Sequence, residues 1–227
     1  MNLGEHQNLG SSSFVNPYVT DGLIFHLDGE WNVAGGIHDS DVKQWRDLSP
    51  RHIVVDLEDG MEFSDKCLTT DGTSYITVSG NMSHARTWEM VVNRHNSDGA
   101  VFFCQPPDSN SPWTLIPLWN GYTYWKGITG SSSNWAINPD QIWCCSYTRD
   151  FDGTFNHWLL KNNPSSPFRT WTASGEGNET EFFIGYRGPG YTTFMKADFY
   201  CLRMYDRVLT LEEITHNWEI DKVRFGL

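Results

Sequence analysis

The segment from Phe199 to Trp218 constrains the fold more than any other, because it reads as a strand turning abruptly into a helix. Tyr200, Leu202 and Met204 fall on one face and Cys201, Arg203 and Tyr205 on the other, the period of two of a β-strand. Thr210 and Glu213 then form a T-x-x-E capping box, with Leu209 and Ile214 spaced as a hydrophobic staple. The spacing predicts a short helix whose stripe of Leu209, Leu211, Ile214 and Trp218 clasps onto the rest of the molecule.

Upstream, the chain reads as a series of strands. Leu23, Phe25 and Leu27 alternate with Ile24 and His26, and Trp88, Met90 and Val92 alternate with Thr87, Glu89 and Val91. Val101–Cys104 and Phe182–Gly185 are further apolar runs, and Ile142–Tyr147 joins Phe155–Leu160 through Asp152-Gly153. Leu68–Val78 reads as a strand pair with Asp71-Gly72 as its hairpin turn. Trp45-Arg-Asp-Leu-Ser-Pro50 reads as a turn anchored by Trp45 and Leu48. Strands with turn signals at about ten-residue spacing argue for a sandwich or barrel. The 227 residues suffice for a sizeable core without staples. Neither an internal repeat nor a break in composition follows Asp21, so residues 1–20 read as a polar arm or linker and 21–227 as one domain.

Three motifs tie these elements to a known family. Arg203, Tyr205, Arg207, Leu209, Thr210, Glu213 and Ile214 follow an R-x-Y-x-R-x-L-[ST]-x-x-E-I pattern. Trp45, Asp47, Leu48 and Ser49 follow W-x-D-L-S, with Pro50 where Gly is usual, and Ile184-Gly185 ends another strand. On these residues the chain resembles the laminin G-like domains of the concanavalin A-like lectin/glucanase superfamily. The opening Asp21-Gly-Leu-Ile24 with Asp28-Gly29, and the ending Trp218–Gly226, look like the versions encoded by phages and prophages of gut bacteria. The resemblance implies an all-β, two-sheet antiparallel β-sandwich of jelly-roll type with one short C-terminal helix. It also implies a non-catalytic binding or adhesion module on a phage virion, as tail or capsid decoration, or on a bacterial surface. The alternative is a purely structural virion protein whose aromatics mediate subunit contacts.

Composition narrows the chemistry. A net charge of −12 argues against nucleic acid, whose phosphates need basic patches. No apolar run approaches the ~20 residues of a membrane span. Met1–Gly10 is polar and lacks the apolar stretch of a secretory leader, which fits folding in the bacterial cytoplasm or a leader outside this chain. Five cysteines is an odd count without C-x-x-C spacing, which disfavours zinc and predicts reduced, buried thiols; Cys144 and Cys145, being neighbours, face opposite ways. The final location expected is the virion or extracellular surface.

A glycosidase needs two carboxylates across one groove. The acids of Asp56-Leu-Glu58-Asp59-Gly-Met-Glu62 have the wrong spacing, and Glu89 stands alone, so no enzyme is expected. Cys144 with His157 is a weak nucleophile pair, since a mid-strand thiol between bulky rings is inert. No cofactor is expected. The family resemblance raises Ca²⁺, for which Asp39, Asp41, Asp56, Asp59, Asp150 and Asp152 are loop acids of the right type, against the alternative that they are simply solvated.

Aromatics form 15% of the chain and eleven are Trp, more than a core of this size requires. They concentrate in the Gly/Pro-broken stretch Gln105–Trp143, where Trp113, Trp119, Tyr122, Tyr124, Trp125 and Trp135 lie among amides such as Asn120. Rings stack on the C–H faces of sugars while amides bond hydroxyls, so these seven residues are the candidate site for a cell-surface glycan or host polysaccharide. The same rings also suit a contact with other virion proteins, a homo-oligomer interface, or the core.

Overall fold

The strand predicted near the C-terminus is the centre of the molecule. The computed structural model describes residues 14–80, 84–96, 102–105, 114–116, 118–119, 122–123, 142–162, 164–172, 181–186, 192 and 194–227. In chain order the strands are β1 (Leu23–Asp28), β2 (Gln44–Arg46), β3 (Val54–Asp56), β4 (Met61–Phe63), β5 (Leu68–Asp71), β6 (Ile76–Ser79), β7 (Thr87–Arg94) and β8 (Phe102–Gln105). They continue as β9 (Thr114–Ile116), β10 (Leu118–Trp119), β11 (Tyr122–Thr123), β12 (Ile142–Arg149), β13 (Thr154–Leu159), β14 (Arg169–Thr172), β15 (Glu181–Ile184) and β16 (Lys196–Tyr205), followed by helix α1 (Leu211–Phe225).

The large sheet runs β14-β13-β12-β7-β16-β5-β4. One edge of β16 lies along β7; the other is shared end to end by β5, on Lys196–Phe199, and β1, on Cys201–Tyr205. A smaller sheet, β6-β15-β8-β9, stacks on it, and every strand pairing is antiparallel among the described residues. The fold is the all-β sandwich expected.

Two apolar layers flank the large sheet. Between the sheets, Phe25, Leu27, Met90, Val92, Leu202 and Met204 meet Ile76, Val78, Phe182 and Ile184. On the far face, Leu23, Val91, Cys144, Cys201 and Tyr205 receive Leu209, Ile214, Trp218 and Phe225 from the helix and its approach. Cys144 and Cys145 thus face opposite ways, as expected, and both are buried because each face has its own cover. For the same reason every residue of β1 is buried, where a one-sided sheet would alternate.

The structure departs from the sequence reading at three points. The β16 register against β7 shifts between Phe199 and Cys201. This bulge re-phases the strand. Tyr200 therefore does not share a face with Leu202 and Met204; it packs edge-on against Phe225 of the helix, ring centroids 5.5 Å apart. Leu211 is 41% exposed, outside the helix stripe, because it begins the first turn on the solvent side. Asp71-Gly72 is a turn, with Gly72 at φ 85° and Asp71 Oδ1 accepting from the Thr73 N–H at 2.8 Å, but it carries the chain from β5 in the large sheet to β6 in the small one. Turn chemistry is local, whereas the choice of sheet depends on which core each strand completes.

The helix is held by more than its apolar stripe. Thr210 Oγ1 accepts from the Glu213 N–H at 3.3 Å and the Glu213 carboxylate accepts from the Thr210 N–H at 2.9 Å, the predicted capping box. Gly226, at φ 72°, closes the C-terminus in the left-handed conformation. Beneath the helix, the fully buried Arg203 donates from Nε to Glu89 Oε2 (2.9 Å) and from Nη1 and Nη2 to Asp221 (2.9 and 2.6 Å). Asn217 donates to Glu89 Oε2 at 2.8 Å, and Tyr18 donates to Asp221 at 2.8 Å. Arg224 pairs with both oxygens of Asp28, at 2.6 and 2.9 Å, and lies 3.3 Å over the Trp31 ring.

Two outcomes follow. Asp221→Asn leaves Arg203 underpaired in the interior and is expected to cost about 3–5 kcal/mol in urea unfolding, whereas the apolar triple Glu89→Leu/Arg203→Met/Asp221→Leu should recover most of that loss. At the helix start, Arg207 donates to both Glu213 oxygens and holds that carboxyl down at about 2, against an ordinary 4.5. A carboxyl depressed by folding stabilises only while ionised, so this contribution is whole above about pH 4.5 and fades as pH falls toward 2. Melting temperatures across that window should fall less steeply in Glu213→Gln than in the parent.

Candidate functional site

Glu89, the lone acid of β7, is 1% exposed, and its Oε2 is taken by Arg203 and Asn217. Burial pushes its carboxyl up, with Arg203 working against that rise. It faces the helix, walled off from solvent.

Among the described residues, one trio of metal-ligating type converges: His26, Asp28 and Cys201, all buried. Its donor atoms are already committed. Asp28 accepts from Arg224 and from the N–H groups of Glu30 and Trp31 at 3.0 Å, while Arg203 Nη1 approaches Cys201 Sγ at 3.1 Å. Burial lowers the His26 pKa and raises that of Cys201 well above the thiol range. A cation placed there would sit between two guanidinium groups, so the trio fits a structural role. Of the loop acids considered for calcium, Asp39 and Asp152 each accept a nearby backbone N–H, at 2.9 and 2.8 Å, and Asp56 accepts from Gln44 at 2.9 Å.

Burial raises Cys144 above the ordinary thiol range and pushes Cys145 up to about 12. His157 stacks on Tyr147 at 4.2 Å, both wholly buried, and the register pairs it with Tyr147 while Cys145 pairs with Leu159.

Of the predicted ligand residues, Trp119 and Tyr122 lie opposite each other in the two-residue ladder of β10 and β11. Trp113, Asn120, Tyr124, Trp125 and Trp135 lie outside the described residues.

The described structure assembles a different aromatic surface. Tyr75 precedes β6, Tyr186 follows β15 and Phe194 precedes β16. Gly185 turns the chain at φ 80°, its carbonyl accepts from the Met195 N–H at 2.7 Å, and Tyr186 and Phe194 form an isolated antiparallel bridge. Tyr75 stacks on Tyr186 at 4.3 Å and 23°, and lies parallel to Phe194 at 5.5 Å and 4°. Because Phe182 and Ile184 point into the core, Phe183 points outward and props Tyr75 and Tyr186 edge-on, each at 5.6 Å. Asn96 fixes the platform by donating to the Phe194 carbonyl and accepting from the Lys196 N–H, both at 3.0 Å.

Tyr75 and Phe194 are partly exposed. The Tyr75 and Tyr186 hydroxyls have no hydrogen-bond partner among the described residues. Tyr186 is buried, at 8%, and backs the two partly exposed rings, which can stack on an apolar face while the Tyr75 hydroxyl bonds its polar rim. Tyr75 lies far in sequence from Tyr186 and Phe194, which follow the Ile184-Gly185 motif, and the aromatic surplus was the signal that such a surface exists.

No family model matches the chain, and no curated protein matches it. Among solved structures it is similar to the binding domain of botulinum neurotoxin serotype D, with TM-score 0.67 and 12% identity over 91% of this chain and 53% of that one. It is also similar to Trypanosoma rangeli sialidase in complex with the inhibitor DANA, with TM-score 0.61 and 14% identity over 87% of this chain and 33% of that one. The same sialidase in complex with sialic acid gives TM-score 0.56 and 14% identity over 85% and 32%. The chain thus spans about half of the toxin domain and a third of the sialidase. At these identities the likeness establishes the fold.

Cys67, Cys144, Cys145 and Cys201 are free and buried. Thiol titration of the unfolded, unreduced protein is expected to find five thiols; a count of three or one would mean a bridge.

Proposed function

We propose that this chain is a non-catalytic binding module for a glycan, with Tyr75 and Phe194, backed by Tyr186, as its stacking surface. The observation that carries the reading is the platform itself: the parallel Tyr75 and Phe194 rings, partly open to solvent and backed by the buried Tyr186, with a Tyr75 hydroxyl that the described residues leave unbonded. Solvent-open rings are better suited to a ligand than to a core, which would cover them. The fold likeness to a toxin's binding domain, and to a sialidase solved with sialic acid, is in keeping with this reading. Burial of Glu89 behind the helix supports the non-catalytic half, since it removes that acid from any groove.

The sequence resemblance to phage and prophage domains supports display on a virion or bacterial surface, and the buried free thiols fit folding in a reducing compartment first. The aromatic stretch Trp113–Trp135, with Asn120, belongs to the same proposal as a second part of the ligand face.

Screening the purified protein on a glycan array, followed by titration of the best hit, tests the reading. Tyr75→Ala is expected to weaken that binding by about 0.5–1.5 kcal/mol, the worth of one aromatic stacking contact. An array without hits, or a Tyr75→Ala/Phe194→Ala variant that binds as the parent does, would sink it in favour of a structural virion component.

A further inference from the structure

A second surface has the opposite chemistry. The buried Asp47 organises the turn after β2, accepting from the N–H groups of His26 and Ser49 at 2.8 Å, from Ser49 Oγ at 2.7 Å and from the Ile53 N–H at 3.3 Å. Trp45 anchors the same hairpin from beneath, with Nε1 donating to the Asp28 carbonyl at 2.9 Å. Because Trp45 and Val55 point inward, Arg46 and its cross-strand neighbour Val54 point outward. The turn also lifts His52 into the left-handed region, at φ 50°.

A groove of about 360 Å³ opens here, walled by Phe14, Val33, Leu48 and Val54 and flanked by Arg46 and His52. Phe14 and Val54 remain 41% and 47% exposed. Gly35 forms the opposite wall, where a Cβ would stand 2.0 Å from the Phe14 ring, so this glycine is what lets Phe14 lie across the groove. Phe14 is held in place by an edge-on contact with Trp31, at 4.9 Å.

Arg46 is exposed and makes no ion pair or side-chain hydrogen bond among the described residues. That is unusual in a chain of net charge −12, where arginines such as Arg203, Arg207 and Arg224 are all paired with carboxylates. The lining includes a carboxylate, Asp47, but both its oxygens are engaged by the turn. An unpaired guanidinium presents a planar fork matched to a carboxylate. The imidazole beside it supplies a further donor, and the apolar walls suit the C–H face of a ring. The volume is that of a small-ligand pocket.

We infer that this groove is a binding site for an acidic monosaccharide unit, its carboxylate on Arg46 and its ring against Phe14 and Val54. The site is separate from the aromatic platform and does not rest on it. Titration with sodium glucuronate, followed by the NMR shifts of residues lining the groove, tests it, with glucose and sodium acetate as controls for ring and charge. Glucuronate should bind more tightly than either control. Arg46→Ala should weaken it about tenfold or more without lowering the melting temperature, since Arg46 holds nothing in the fold. Gly35→Ala should weaken it several-fold by displacing Phe14, while Tyr75→Ala should leave it unchanged. The inference fails if glucose binds as well as glucuronate, if neither binds, or if Arg46→Ala binds like the parent. Loss of glucuronate binding in Tyr75→Ala instead would move the acid-binding site to the platform.

Discussion

The guanidinium of Arg203 is the point on which the rest of the structure turns. It leaves the middle strand of the large sheet on the face away from the small sheet and meets one acid from the neighbouring strand and one from the helix. Burial opposes its charge, and Asp221, Cys201 and Glu89 more than offset that cost, keeping it ionised far above the ordinary range. A buried ion pair contributes little net stability against an apolar substitute, but it tolerates few alternative arrangements. Here it sets which face of α1 meets which part of the sheet. Tyr18, lying 4.1 Å from the guanidinium and bonded to Asp221, ties the segment before β1 into the same arrangement.

That clasp explains why a sheet with one solvent face in prospect has none across its centre. The helix brings a second apolar layer, so the central strands bury residues of both parities. Keeping two layers in phase along a ten-residue strand is difficult for a twisted sheet. The bulge near Tyr200 resolves it by shifting the outer set by one position, and a matching irregularity in β1 between Leu23 and Phe25 does the same beside it.

The small sheet has a different economy of faces. Its inner residues complete the core against Phe25, whose ring meets Phe182 edge-on at 5.0 Å. Its outer face carries Phe183, and from there the Tyr75, Tyr186 and Phe194 rings spread to the surface. The Asp47 turn, on another part of the chain, leaves Arg46 and Val54 outward for the same reason of alternation. Both candidate surfaces are thus by-products of strands whose other side fills the core, which is how a rigid sandwich comes to hold side chains still enough to recognise a ligand.

The sequence by itself determined whatever is enforced within a few residues. Alternation in β7 and β12, the capping box at Thr210 and Glu213, the turn built by Trp45, Asp47 and Ser49, and the glycine turns at Gly72 and Gly153 all depend on local backbone chemistry, and all are present. Tertiary structure alone decided the rest. The exposure of Leu211, the face taken by Tyr200 and the separation of β5 from β6 into two sheets depend on what packs from a distance. So do the partners of Glu89, which in sequence looked solitary because Arg203 lies 114 residues away. The aromatic platform joins Tyr75, Tyr186 and Phe194 through strand order, and the unpaired state of Arg46 depends on which acids the fold sends elsewhere; neither leaves a spacing that a linear reading can detect.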